Sequence, residues 1–229
     1  MHRLLFIIAF TLASYGITRA QDFSYTVSAD SVAWNELNAQ TILNSGNSAW
    51  NFAYRIPIGF SFSYCGRTFD SLTIETNGYI LFDEDRNYAL TAFSGVGDCM
   101  DTTGTHAVLG YELTGTAGNR ILKIQYKNCG AMQSGYRTLS WQVWIRENGN
   151  LEVHIGPGTL RYANTEVDST QQYRVGLLNM NMDTEERGLL INGDPAAPQS
   201  RAINNTYPEA TYLDAIPAMG YRYTFTPSN

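Results

Sequence analysis

The chain has 229 residues, 44% hydrophobic and 13% aromatic, with 15 basic against 21 acidic side chains. Its Lys and Arg residues are scattered singly, which excludes the basic patch that a nucleic-acid partner requires. Only 16% of residues are charged, and 20 glycines with 15 tyrosines suit strands and turns, so the composition is that of a packed β-domain.

The N-terminus opens on His2 and Arg3, continues through the apolar stretch Leu4 to Ala13, and reaches Thr18-Arg19-Ala20. Small residues there fit cleavage before Gln21, so residues 1–20 read as a signal peptide. The apolar core is far shorter than the roughly 20 residues of a spanning helix, and no transmembrane segment is expected. Cleavage removes Arg3 and Arg19 and no acid, leaving 13 basic and 21 acidic residues, a formal charge of −8.

Phe23 to Val27 alternates apolar and polar side chains, as does a weaker run from Trp34 to Leu43, and both are expected as strands. Asn44 to Ser48 is a loop. Arg55 to Tyr64 and Thr68 to Phe82 then form an antiparallel pair around Cys65-Gly66-Arg67, the second strand bending at Asn77-Gly78. A polar, irregular stretch runs from Asp83 to Gly104. Ala107 to Leu113 and Arg120 to Tyr126 alternate again across a medium loop. Leu139, Trp141, Val143 and Ile145 share one face, which Leu151, Val153 and Ile155 resume after Glu147-Asn148-Gly149-Asn150. Asn-Gly reaches positive φ at little cost, so this segment is a hairpin. Tyr173 to Leu178 is a further strand. Residues 179–216, with Pro195, Pro198 and Pro208, read as a long surface loop holding a short strand near Leu189–Ile191. Tyr221, Tyr223 and Phe225 line the closing strand.

No ten-residue segment after the leader carries a helical period. The fold class is all-β: an antiparallel β-sandwich or jelly roll of about 8–12 strands. Residues 21–229 form its single domain.

Three cysteines, Cys65, Cys99 and Cys129, follow the leader, and an odd count leaves one over. Cys99 lies in a loop and Cys129 at a strand end, which favours a Cys99–Cys129 bridge; three reduced thiols are the competing reading. Asp83, Asp85 and Asn87 have the alternate spacing of an oxygen cage for Ca²⁺. Tyr88 stands where such a loop needs Gly and Ser94 where it needs Glu, which excludes an EF-hand. A looser Ca²⁺ site drawing on Asp98 or Asp101 competes with a solvated acidic turn. No other cofactor is expected.

His154 alternates with Val153 and Ile155, so it is expected on the outer polar face as a surface histidine, and Glu147 and Glu152 are expected to flank the hairpin turn in water. No Gly-x-Ser-x-Gly elbow gives His106 a nucleophile, and no Glu-x-Asp-x-x-Glu string supplies a glucanase's paired carboxylates. The chain is therefore read as a non-enzyme. Its aromatic content suits binding, because sugars are held by rings that stack on their C–H faces, helped by a few polar groups. Trp144 is expected to face outward opposite Trp141, with Tyr136 and Tyr162 adding rings in or near loops. Filling of the core or rim is the competing reading for these aromatics.

Ile56-Pro57-Ile58-Gly59-Phe60-Ser61-Phe62, Gly66, and Thr76-Asn77-Gly78-Tyr79-Ile80-Leu81-Phe82 occur in order, followed by Gly118 to Asn128 and Pro217 to Phe225. With these motifs the chain, from about Phe23 to Pro227, resembles secreted β-sandwich modules of exported and cell-surface proteins of the Bacteroidota, and is similar to nidogen-type extracellular domains. The resemblance implies a non-catalytic exterior module. Such relatives often carry further β-domains and a C-terminal sorting domain, whereas this sequence stops at Asn229, so a periplasmic or released protein stands beside surface display. The expected function is binding of a glycan or cell-surface partner. A structural or adhesion component contacting envelope proteins is the alternative, and a carbohydrate-active hydrolase comes third. No oligomeric state is implied.

Overall fold

The structure, a computed structural model, describes residues 24–38, 40–45, 52–94, 99, 106–130, 138–159, 174–181, 185–204 and 212–228. These residues hold fourteen strands and no helix. In chain order they are β1 (Tyr25–Ser31), β2 (Thr41–Ser45), β3 (Ala53–Tyr64), β4 (Arg67–Glu75), β5 (Tyr79–Leu81), β6 (Tyr88–Ser94) and β7 (Val108–Thr114). There follow β8 (Ile121–Gly130), β9 (Thr138–Arg146), β10 (Leu151–Gly158), β11 (Arg174–Asn181), β12 (Glu185–Asn192), β13 (Gln199–Asn204) and β14 (Tyr221–Pro227).

Two seven-stranded sheets result. Sheet A has the order β1-β14-β10-β9-β8-β7-β2, and sheet B the order β13-β12-β11-β6-β5-β4-β3. Runs of consecutive hairpins, β3 to β6, β7 to β10 and β11 to β13, stay within one sheet. A jelly roll would pass successive strands between sheets, so the architecture is a sandwich of meanders.

The alternation read from the sequence sets the core. In β3, Ile56, Ile58, Phe60, Phe62 and Tyr64 are buried while their neighbours are exposed. Opposite them, Leu122, Ile124, Tyr126, Trp141, Val143, Ile145, Val153 and Phe225 of sheet A are fully buried. Tyr126 stacks on Trp141 at 4.5 Å between centroids, and its hydroxyl donates to the Glu75 carbonyl at 2.8 Å, joining the two sheets.

Four expectations change. The run from Thr68 to Phe82 is two strands, because Gly78 at φ +90° turns the chain from β4 into β5. Residues 88–94, expected as irregular, form β6, whose Ala89, Leu90, Thr91, Ala92 and Phe93 are all buried. Within residues 179–216, the short strand becomes the whole of β12, and β13 follows it. Of the run Trp34 to Leu43, only its end enters β2; Val32 to Leu37 is not a strand.

Candidate functional site

The strand order dictates what happens to the outer face of sheet A. β1 and β2 lie at opposite edges of that sheet, so the short chain between them crosses its face as a strap. The contacts follow the crossing strand by strand. Val32 N donates to Gly220 O at 2.7 Å beside β14, and the Trp34 ring lies where a Cβ on Gly156 of β10 would sit. Asn35 O accepts from Gln142 Nε2 of β9 at 2.8 Å, and Leu37 N donates to Gln125 Oε1 of β8 at 3.1 Å. Gln40 ends the crossing against Gly110 of β7. The glycines in β10 and β7 therefore make room for the strap, and Gln125 and Gln142, on an outer face, are buried and hydrogen-bonded to it and to each other.

Beside the strap run two adjoining rows of outward side chains set by cross-strand register. Asp30 of β1 is opposite Arg222 of β14, and Arg222 is opposite His154 of β10. Glu152 of β10 is opposite Trp144 of β9, Trp144 opposite Lys123 of β8, and Lys123 opposite Glu112 of β7. Opposite charges at facing positions attract across the ladder. Arg222 Nε donates to Asp30 at 2.9 Å, and Lys123 Nζ donates to Glu112 at 3.2 Å. Glu152, 4% exposed, is bound by Arg146 and by His154 Nε2 at 2.7 Å, with Arg222 at 3.8 Å. Burial alone would raise the Glu152 pKa; the His154 and Arg146 hydrogen bonds outweigh it and hold the carboxyl at about 2.

Trp144 sits between Glu152 and Lys123 in the second row, half-buried. Its Nε1 donates to Gln142 Oε1 at 2.8 Å. The His154 ring stacks on it at 4.2 Å and 25°, Lys123 Nζ lies 4.7 Å from its centroid, and the Arg146 guanidinium lies 5.4 Å away. Since β8 and β10 flank β9 on opposite sides, lysine and histidine approach the indole from opposite sides.

Two sequence expectations are corrected here. His154 does point to the outer face, but it is 6% exposed, enclosed by Trp144 and Glu152. Glu152 is buried in the same cluster instead of lying in water, and Glu147 binds the main-chain N–H and Nε of Arg120 at 2.9 and 3.0 Å. Those Arg120 hydrogen bonds hold the Glu147 pKa at about 2.

The remaining candidates that fall among the described residues are not brought together with Trp144. Tyr136 and Tyr162 lie outside the described residues, as do Asp98 and Asp101. Asp83 accepts from Asn87 Nδ2 at 3.0 Å and from Tyr88 N at 3.1 Å, which closes the turn into β6, while Asp85 is exposed. Among the described residues no group of three or more His, Cys, Asp or Glu could hold a metal ion. Cys99 and Cys129 are joined as a disulfide with Cα atoms 4.2 Å apart. Cys65 is a free thiol, which burial pushes up to about 12 although a Tyr64 hydrogen bond acts the other way.

Sequence reasoning missed Gln142, Arg146 and Lys123 around Trp144, and Arg222 and Asp30 beyond them. The first three could have been found by extending the Asn148-Gly149 hairpin register outward from Trp144. Arg222 and Asp30 join the first row only through the pairing of β14 and β1, whose sequence separation hides it.

A family model described as NIDO related matches residues 24–227. No curated protein and no solved structure matches the chain.

Proposed function

This chain belongs to the NIDO-related family, and we propose that it is a non-catalytic binding module of the cell exterior, exported through residues 1–20. It recognises a protein on the cell surface through the outer face of sheet A, with Trp144 at the centre. The observation that carries this reading is a half-exposed tryptophan held in one orientation by Gln142, His154 and Lys123 and flanked by Arg146. Tryptophan and arginine dominate the binding energy of protein interfaces, and a side chain already immobilised loses little entropy on binding. A sugar needs an open ring face to stack upon. Lysine and histidine occupy the approaches to this indole, which favours a protein over a glycan at Trp144. The non-catalytic reading is supported by Glu75 and Glu152, the glutamates buried among the described residues, whose oxygens are bound by Arg86 and by Arg146 with His154.

The partner class is tested by binding labelled protein to source cells treated beforehand with protease or with periodate. The expected result is binding that protease abolishes and periodate spares. Binding that periodate abolishes and protease spares would replace the protein partner with a glycan.

A further inference from the structure

A cleft of about 400 Å³ opens at one end of the sandwich, where both sheets contribute their turns. Sheet A supplies Tyr25 at the start of β1 and Asn148 of the β9–β10 turn. Sheet B supplies Ser61 and Ser63 of β3 and Cys65 of the β3–β4 turn. Its volume falls in the range of small-molecule sites, roughly 300–1,000 Å³. It lies between the sheet ends, apart from the outer face that carries Trp144.

The lining has one consistent chemistry. Ser61 and Ser63 are exposed and make no hydrogen bond through their hydroxyls among the described residues. Two apart on an extended strand, they point the same way about 7 Å from each other. Asn148 spends its Oδ1 on the Asn150 N–H at 3.1 Å and keeps its NH₂ for a ligand. The Tyr25 ring is half-buried, 6.2 Å from that of Tyr64. Tyr64 is buried and turns its hydroxyl inward to Ala89 O at 2.9 Å, so it backs the Tyr25 ring from within and offers the cleft no hydroxyl.

Charge is cancelled throughout this lining. The Glu147 carboxylate at the rim is bound by the Arg120 main-chain N–H and guanidinium. Burial raises the Tyr25 phenol and the Cys65 thiol, so both remain neutral at physiological pH. An anionic or cationic ligand would find no counter-charge here, whereas a neutral ligand rich in hydroxyls finds donors, acceptors and an aromatic surface.

We propose that this cleft binds a neutral saccharide end, with a sugar ring against Tyr25 and its hydroxyls bonded by Ser61, Ser63 and Asn148. The site is separate from the Trp144 surface and does not depend on it. A glycan reader and a protein-binding face then occupy different parts of one module.

The test is a titration of isotope-labelled protein, followed by amide NMR, with the methyl glycosides of glucose, galactose, mannose and N-acetylglucosamine. Glucuronate and a sugar phosphate serve as charged comparators. At least one neutral glycoside is expected to shift the Ser61, Ser63, Cys65 and Asn148 amides with a Kd of about 1–10 mM. The paired change Ser61→Ala and Ser63→Ala is expected to weaken it about fivefold, and Trp144→Ala to leave it unchanged. Shifts absent for every glycoside, shifts gathered elsewhere, or equal affinity for glucuronate would overturn the proposal. Should the serine variant not fold, the titration of the unaltered protein still decides. Loss of surface-protein binding in Trp144→Ala bears only on the other face, so the two readings fail separately.

Discussion

Glu152 lies 4% exposed on the outer side of a sheet, yet its carboxyl is held at about 2, against an ordinary value of 4.5, because the hydrogen bonds from His154 and Arg146 outweigh burial. A depressed carboxylate stabilises the fold above its unfolded value and stops doing so as pH falls through its folded value. This contribution is complete above about pH 4.5 and disappears between there and about pH 2, amounting to on the order of 3 kcal/mol. Glu152→Gln removes the titrating group. The variant should melt lower than the unaltered protein at neutral pH, and the gap should narrow as pH falls from about 4.5 to 2. Melting curves across that window check it, and a constant gap would contradict the assignment. The same residues show why period-two reasoning gave His154 its face but not its burial. Alternation says which side of the sheet a side chain takes. What covers that side is Trp144 and Glu152 locally and Arg222 from 68 positions along, which no window around His154 contains.

At the scale of the strand, Cys99 is tied to β8 at Cys129, and its own N–H donates to Thr76 O at 2.8 Å between β4 and β5. The disulfide thus links the ends of both sheets across a sequence separation of 30. Closing a loop of that length restricts the unfolded chain by about 3–4 kcal/mol. Replacing both cysteines by alanine, or adding reductant, should lower the melting temperature by several degrees without changing the β spectrum; no change would mean that the bridge contributes nothing. Which elements could be seen in the sequence depends on exposure. β3 alternates because one face meets the core and the other meets water, and β9 and β10 alternate because one face meets the apolar core and the other the polar strap and charged cluster; Asn148-Gly149, with Gly149 at φ +94°, fixes the turn between β9 and β10. β6 is buried on both faces, so Ala89 to Phe93 shows no alternation to read. The strap fails in the opposite sense: Val32 and Trp34 are half-buried between exposed neighbours as strand residues are, although the segment belongs to neither sheet.

For the molecule as a whole, the decisive feature is that sheet A places its first two strands at opposite edges. The strap this requires covers the middle of one face and leaves, beside it, two adjoining cross-strand rows, Asp30–Arg222–His154 and Glu152–Trp144–Lys123–Glu112, which meet where His154 contacts Glu152 and Trp144. Sandwiches commonly leave their outer faces to water; here a polar network built from six strands fixes one aromatic side chain in place. That rigidity is what a recognition surface needs, and a structural rim does not require it. The measurement that tests this most directly compares the unaltered protein with Trp144→Ala for affinity to protein on source-cell surfaces, with melting temperature measured alongside. Trp144→Ala is expected to lose affinity about tenfold or more, corresponding to at least about 1.4 kcal/mol, with the fold still intact at the assay temperature. Equal affinity in a folded variant would contradict it.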